Sequence, residues 1–206
     1  EYIVYHVNDK KTFLSKGAYV EYQNTELSAG EIVVDWETNI LDAMPGNNEY
    51  PMIRNLNDEP MTGNSMVFDL STKHGRIDKG RTSYNNSYYH GKEVFRDDPN
   101  VFHVQKSKYT SCELERPHFY LASRKMKMLP GYRVIAKPLW LHIDDIPIIG
   151  LPLAVFPHSK DGNRHSGWIM PSFDSYNRIG TGFRNLGYYW APNDYIDATT
   201  TMNFFD

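Results

Sequence analysis

Side chains able to hold a metal or move a proton are present but unpaired. The eight histidines, at 6, 74, 90, 103, 118, 142, 158 and 165, show no two- or four-residue spacing, so none shares a strand or helix face with another as zinc ligands do. Asp97-Asp98 and Asp144-Asp145 are adjacent. Neighbours on a strand point to opposite faces, which suits solvated turns better than an acid–base couple. The run Arg124-Lys125-Met126-Lys127 reads as a strand with one wet face, although near a phosphorylated lipid its cations would matter. No G-x-S-x-G, P-loop, H-E-x-x-H or C-x-x-C occurs. The residues therefore point away from an enzyme, from a metal site and from any cofactor. Cys112 is the single cysteine, so the 206 residues hold no internal disulfide.

Chemistry being absent, the elements carry the argument. Net charge is −3 with a pI near 6.3, which gives no basic surface for nucleic acid. Fifteen Tyr, ten Phe and four Trp favour strands. No window approaches the roughly 20 apolar residues of a membrane helix. The chain opens inside a strand-like run and stops at "NFFD", which reads as a piece of something longer.

Three segments align without gaps: "IVYHVNDKKTFLSKG" (3–17), "IVVDWETNILDAMPG" (32–46) and "MVFDLSTKHGRIDKG" (66–80). Such repetition predicts a stacked β architecture. Alternate positions share a strand face. One set comprises Ile3, Tyr5, Val7, Ile32, Val34, Trp36, Met66, Phe68 and Leu70, all apolar or aromatic, while the opposite set starts with Val and turns polar. These nine are expected on an inner wall, which sequence parity leaves open as either an ordinary sandwich core or a groove for acyl chains.

Residues 81–100, rich in Asn, Asp and Tyr, read as a loop or irregular hairpin. Strands are expected at "VFHVQ", "HFYLASRKMKM" and "YRVIAKPLWLHI", the last two joined at Pro130-Gly131. Pro147, Pro152 and Pro157 then argue against a regular central strand, so 144–164 reads as an extended proline-rich connector. "TGFRNLGYYW" and "DYIDATTTMNFF", joined by "APND" (191–194), form a hairpin whose alternation and flanking aromatics suit a transmembrane barrel strand or a soluble hairpin alike.

"TSC" (110–112), "PIIGLPLAVFP" (147–157), "RHSGWIMP" (164–171), "GYYWAPN" (187–193) and "DAT" (197–199) occur in an order that resembles the LptD/OstA family of lipopolysaccharide-assembly outer-membrane proteins. The likeness covers roughly 109–206. Residues 1–80 resemble only the repeat type, the OstA-like β-jelly roll. The resemblance implies an all-β fold, an OstA-like β-jelly roll or β-taco followed by the first strands of an outer-membrane β-barrel. Residues 1–143 become a periplasmic domain, 144–164 the connector and 165–206 the first barrel strands, with Trp168, Ile169 and Met170 near the membrane boundary.

The implied function is lipopolysaccharide transport into the outer leaflet. Acyl chains would travel along the nine interior residues and leave at a lateral barrel opening. The implied partners are lipopolysaccharide, an LptA-like periplasmic β-bridge protein, an LptE-like plug lipoprotein and the outer membrane itself. Two positions depart from the pattern. Many relatives carry prolines at the opening, where this chain has Gly187 and Met202. Cys112 matches a cysteine that in relatives bonds to a later part of the barrel. A secreted soluble β-sandwich that binds glycans remains the alternative.

Overall fold

Period-2 alternation puts the chain into strands, and no helix occurs among the described residues of the computed structural model. Those residues are 2–6, 9–22, 25–47, 49–55, 59–84, 87–98, 100–114, 116–129, 132–157, 165–169, 171–176, 180–193 and 195–205. Val7, Met170 and the Pro130-Gly131 turn lie outside them. Two units divide the chain, Glu1–Lys108 and Tyr109–Asp206. The expected boundaries at 143 and 164 both fall inside the second.

The first unit contains β1 (Tyr2–His6), β2 (Lys11–Tyr22), β3 (Thr25–Asp35), β4 (Ile40–Met44), β5 (Met52–Asn55), β6 (Met61–Thr62), β7 (Ser65–Asp69), β8 (Gly75–Tyr84) and β9 (Ser87–Asp98). It also holds most of β10 (Val101–Thr110). Each of the three sequence repeats is a hairpin in one register: Ile3 faces Leu14, Ile32 faces Ala43, and Met66 faces Ile77. Residues 81–100 are not a loop. They continue a regular hairpin, β8–β9, in which Arg81 faces His90 and Thr82 faces Tyr89. Asp97 and Asp98 lie within β9, so the polar composition here does not mark a loop.

The hydrogen-bonded ladder closes on itself through β3, β4, β7, β8, β6, β5 and back to β3. Closure works because long strands serve two sheets. In β3, residues 31–35 pair β4 while 25–28 pair β5. In β8, residues 75–78 pair β7 while 81–82 pair β6. Gly17, Gly46 and Gly80 end the three sequence repeats; Gly17 takes φ 77° at the register shift between Ser15 and Ala18. At one corner a Cβ on Gly30 would collide with the backbone nitrogen of Gly46, so two main chains touch where no side chain fits.

At the other end of the repeats the turns stack. The Trp36 N–H donates to the Lys10 carbonyl at 3.0 Å, and the Leu70 N–H to the Asn39 carbonyl at 2.8 Å. Lys10, Asn39 and Lys73 all adopt positive φ. In each of the later two turns an aspartate closes the loop. Asp35 Oδ1 accepts the N–H groups of Glu37 and Thr38, and Asp69 Oδ1 accepts those of Ser71 and Thr72 together with the Ser71 hydroxyl. The Ser71 hydroxyl and the Thr72 N–H hold the Asp69 carboxyl far below the usual carboxylate range.

In the second unit β11 (Phe119–Leu129) pairs β12 (Arg133–Ile143). The other edge of β12 carries β13 (Ile146–Leu151) and β14 (Ala154–Pro157) in succession, so 144–157 of the expected connector is largely strand. Proline is accommodated because β13 and β14 are short segments set end to end on the outer side of β12. Pro138 falls between the stretch that pairs β13 and the stretch that pairs β14, so it interrupts neither. A separate sheet holds β15 (Gly167–Ile169), β16 (Ser172–Tyr176), β17 (Gly180–Trp190) and β18 (Ala198–Phe205), with β15 and β16 on one edge of β17 and β18 on the other.

Gly30→Ala is expected to lower stability by more than 2 kcal/mol, of order that assigned to overpacked backbone contacts (about 1–3 kcal/mol or more). Gly17→Asn, at φ 77° where a Cβ would meet only Glu49 Oε2 at 3.8 Å, is expected to cost under about 1 kcal/mol. Urea midpoints of the two variants check the order.

Candidate functional site: the inner wall and the β17–β18 seam

Register carries one apolar row across seven strands: Ile3, Leu14, Ile32, Ala43, Met66, Ile77 and Val94. At about 4.8 Å per strand the row is roughly 29 Å long. A second row runs Tyr5, Thr12, Val34, Leu41, Phe68, Gly75 and Arg96. Six of the nine residues expected on an inner wall therefore fall in two adjacent rows. Their exposure is uneven. Ile32, Val34 and Met66 are buried, and Phe68 and Leu70 are partly buried against them. Ile3 and Tyr5, by contrast, are 66% and 53% exposed. They belong to β1, which has a partner on one side only among the described residues. Trp36 is also exposed, because the strand has ended; its indole N–H donates to Thr12 Oγ1 at 2.8 Å in the turn.

The middle of the wall is filled by its own side chains. Ile32 and Ala43 have no exposed surface, and Leu14, Leu27, Ala29 and Leu41 complete the cluster. Sequence parity missed Leu14, Leu41 and Ala43 because it followed only the first strand of each repeat, and it missed Leu27 and Ala29 because they precede the second repeat on β3. The constant offset between hairpin partners was the signal that could have supplied the first three.

In the second unit Trp168 and Ile169 do not stand alone. They line an apolar pocket of about 50 Å³ with Leu121, Leu141, Phe156 and Leu186, and Trp168 meets Tyr188 edge-on at 5.3 Å. Ser166 ties the neighbouring "APN" turn: its Oγ accepts the Ala191 N–H at 2.8 Å and donates to the Ala191 carbonyl at 3.2 Å. Asn193 Oδ1 accepts the N–H groups of Tyr195 and Ile196. This local turn delays β18 until Ala198, so Tyr195 and Ile196 are exposed turn residues.

Gly187 faces Thr201, and Met202 faces Leu186. A side chain on Gly187 would run into the Thr200 carbonyl. Between Phe183 and Leu186 the ladder shifts by one residue. Asn185 there takes φ 59° and its N–H donates to Asn203 Oδ1 at 2.9 Å, the pattern of a β-bulge closed by a side chain.

Cys112 is a free, half-buried thiol. Its N–H donates to Thr110 Oγ1 at 3.0 Å and its sulfur lies 3.9 Å from His118 Nδ1. Asp144 and Asp145, both at positive φ, form the two-residue turn between β12 and β13. Asp145 also accepts the Tyr120 hydroxyl at 2.8 Å, beneath a Tyr120–His142 stack at 4.7 Å. Burial, followed by that bond and the charge of Asp145, pushes the Tyr120 phenol up to about 12. Among the described residues no group of three His, Cys, Asp or Glu could hold a metal.

Residues 134–206, from β12 through β18, match the family model described as LptD protein. The LPS-assembly protein LptD of Cupriavidus pinatubonensis is 30% identical over 93 residues, 44% of this chain and 11% of that protein. The LPS-assembly protein LptD of Pseudoalteromonas translucida is 30% identical over 118 residues, 55% of this chain and 15% of that protein. The matched stretches thus cover only a small part of the relatives' length.

Two outcomes follow from this geometry. The folded chain holds the Tyr120 proton more tightly than the unfolded chain, so the stability it contributes is complete below about pH 10 and is lost as pH rises toward about 12. Tyr120→Phe should flatten that alkaline slope, read as denaturant midpoints between about pH 8 and about pH 11. Gly187→Ala should reduce amide-exchange protection at Tyr188–Trp190 and leave β11–β12 protected. Unchanged protection would mean the close backbone approach is not needed.

Proposed function

We propose that the chain belongs to the LptD family, which its residues 134–206 match, and that it handles lipopolysaccharide on the way into the outer membrane. The first unit stands in the periplasm, and residues 165–206 begin the wall of a membrane barrel. The observation that carries this reading is the apolar row that runs from Ile3 to Val94 on the inner wall, beside a second row that carries no charge from Tyr5 to Gly75 and ends at Arg96. Acyl chains gain about 0.8 kcal/mol for each CH₂ taken out of water, so a protein that moves them through the periplasm needs such a surface.

The sealed centre around Ile32 is no channel. Tails therefore lie where the wall keeps accessible apolar surface, beside Ile3 and Tyr5 on β1 and over Phe68 and Leu70 at the turn end. Ile32, Val34 and Met66 hold that surface in shape. The open edge of β1, with Ile3, Val4 and Tyr5 exposed, suits strand addition by an LptA-like β-bridge protein. An LptE-like lipoprotein plugs the barrel. Gly187 and Met202 lie in the barrel strands nearest the lateral opening, and Cys112 bonds to a later segment of the protein.

Photo-crosslinkers at Tyr5 and Phe68 are expected to capture lipopolysaccharide, while probes at the outward Asp42 and Arg76 capture none. Equal labelling of the two sets, or labelling of neither, would remove the inner wall from the lipid path.

A further inference from the structure

A polar cavity of about 130 Å³ opens in the second unit, lined by Tyr132, Arg133, Val155, His165 and Ser166. Register builds it. Arg133 opens β12 opposite Pro157, and Ile135 faces Val155, so β14 forms one wall beside the arginine. The bonds between Ser166 and Ala191 hold the segment that carries His165. His165 meets the Tyr132 ring edge-on at 5.7 Å.

The arginine is fixed rather than free. Its Nη2 donates to the Tyr132 hydroxyl oxygen at 2.7 Å, and its Cζ sits 4.1 Å from the centre of the same ring. The Tyr132 hydroxyl, already accepting, still has its proton to donate. Arg133 Nε is buried and has no hydrogen-bond partner among the described residues. A buried N–H is ordinarily paired; this one is enclosed, so the part of the guanidinium open to a ligand in the cavity is its terminal NH₂ groups, one of them already bonded to Tyr132.

We propose that this cavity binds a phosphate group. Among the described residues no carboxylate lines it. Its polar groups are a guanidinium, a phenol with a proton to give, an imidazole and the Ser166 hydroxyl that is engaged with Ala191. That set suits an anionic acceptor with several oxygens. The planar guanidinium fork matches two oxygens of one oxyanion. The volume exceeds that of a single water, whose share of the liquid is about 30 Å³, and leaves room for a tetrahedral oxyanion. The phosphate is either free or carried on a glycolipid headgroup. Binding of the free ion does not depend on the lipid reading above, so the two can fail separately.

The test is calorimetric titration of inorganic phosphate into the full-length protein in detergent, with chloride as the background anion. Saturable binding is expected. Arg133→Gln should weaken it at least about tenfold, Arg133→Lys by less because the charge survives without the fork, and Tyr132→Phe by about threefold. Arg124→Gln, on the exposed face of β11, should leave it unchanged. If Arg133→Gln does not fold, Tyr132→Phe and His165→Asn carry the comparison.

A second arm compares lipopolysaccharide with its dephosphorylated form in mixed micelles. A preference for the phosphorylated lipid that Arg133→Gln abolishes assigns the phosphate to a headgroup. Equal binding of both lipids, with the inorganic-phosphate result intact, assigns it to the free ion. No saturable phosphate binding up to roughly 10 mM, a range that spans weak millimolar sites, or equal affinity in wild type and Arg133→Gln, would overturn the proposal.

Discussion

A strand can belong to two sheets only if its backbone turns a corner where a side chain would not fit, and the first unit depends on that constraint. Gly30 and Gly46 bring two main chains into contact, and β3 and β8 each divide their hydrogen bonds between two partners. Without the corners, β5 and β6 would have no way to join β3 to β8, and the six-strand circuit would open into a sheet with two more edges. Closing it removes those edges. It also turns the apolar faces of both halves toward one interior, which is why Ile32, Leu27 and Ala29 share a core although they sit on opposite sides of a bend.

The same closure limits what the wall can do. A core filled to native density leaves no void for a lipid tail, and the fully enclosed Ile32 and Ala43 meet that description. The residues with accessible apolar surface lie at the margins of the rows. Ile3 and Tyr5 are exposed because β1 ends the sheet. Phe68 and Leu70 are half-covered because the stacked turns begin there. Rigidity at the centre and access at the margin are two consequences of one register.

How far the sequence was legible depended on the kind of signal. Parity is strict in a strand, so Ile32, Val34, Met66 and Phe68 could be assigned to one face before any coordinates. Parity says nothing about which strand lies at an edge, so it could not foresee that Ile3 and Tyr5 would be exposed. The glycines ending the three repeats were visible as a pattern, but their reasons differ: Gly46 meets the Gly30 backbone, Gly17 takes a positive φ, and Gly80 packs against the Val94 side chain. Composition misled at 81–100 where it suggested a loop: Asp97 and Asp98 lie inside β9, and the described residues pair as the β8–β9 hairpin. It misled again at 144–164, where proline excludes a central strand but not the short edge strands found along β12. The Arg133 cavity had no linear signature, since Tyr132 and His165 meet only through the pairing of β12 with β14 and the tie between Ser166 and Ala191.

Gly187 and Met202 bear differently on the strength of the β17–β18 ladder. Proline at such a position deletes a donor from the ladder. Gly187 keeps its N–H and sacrifices only a side chain, so any weakening acts through backbone freedom. Met202 faces Leu186, and an apolar cross-strand pair adds to the ladder. The place where β17 and β18 already part is one step away, at the bulge between Phe183 and Leu186, where the regular bonds are replaced by the Asn203 side chain bonding the Asn185 N–H. A side-chain bond of this kind is more easily broken and remade than two neighbouring rungs of a ladder. The β17–β18 ladder is therefore softest at the bulge rather than at Gly187 or Met202.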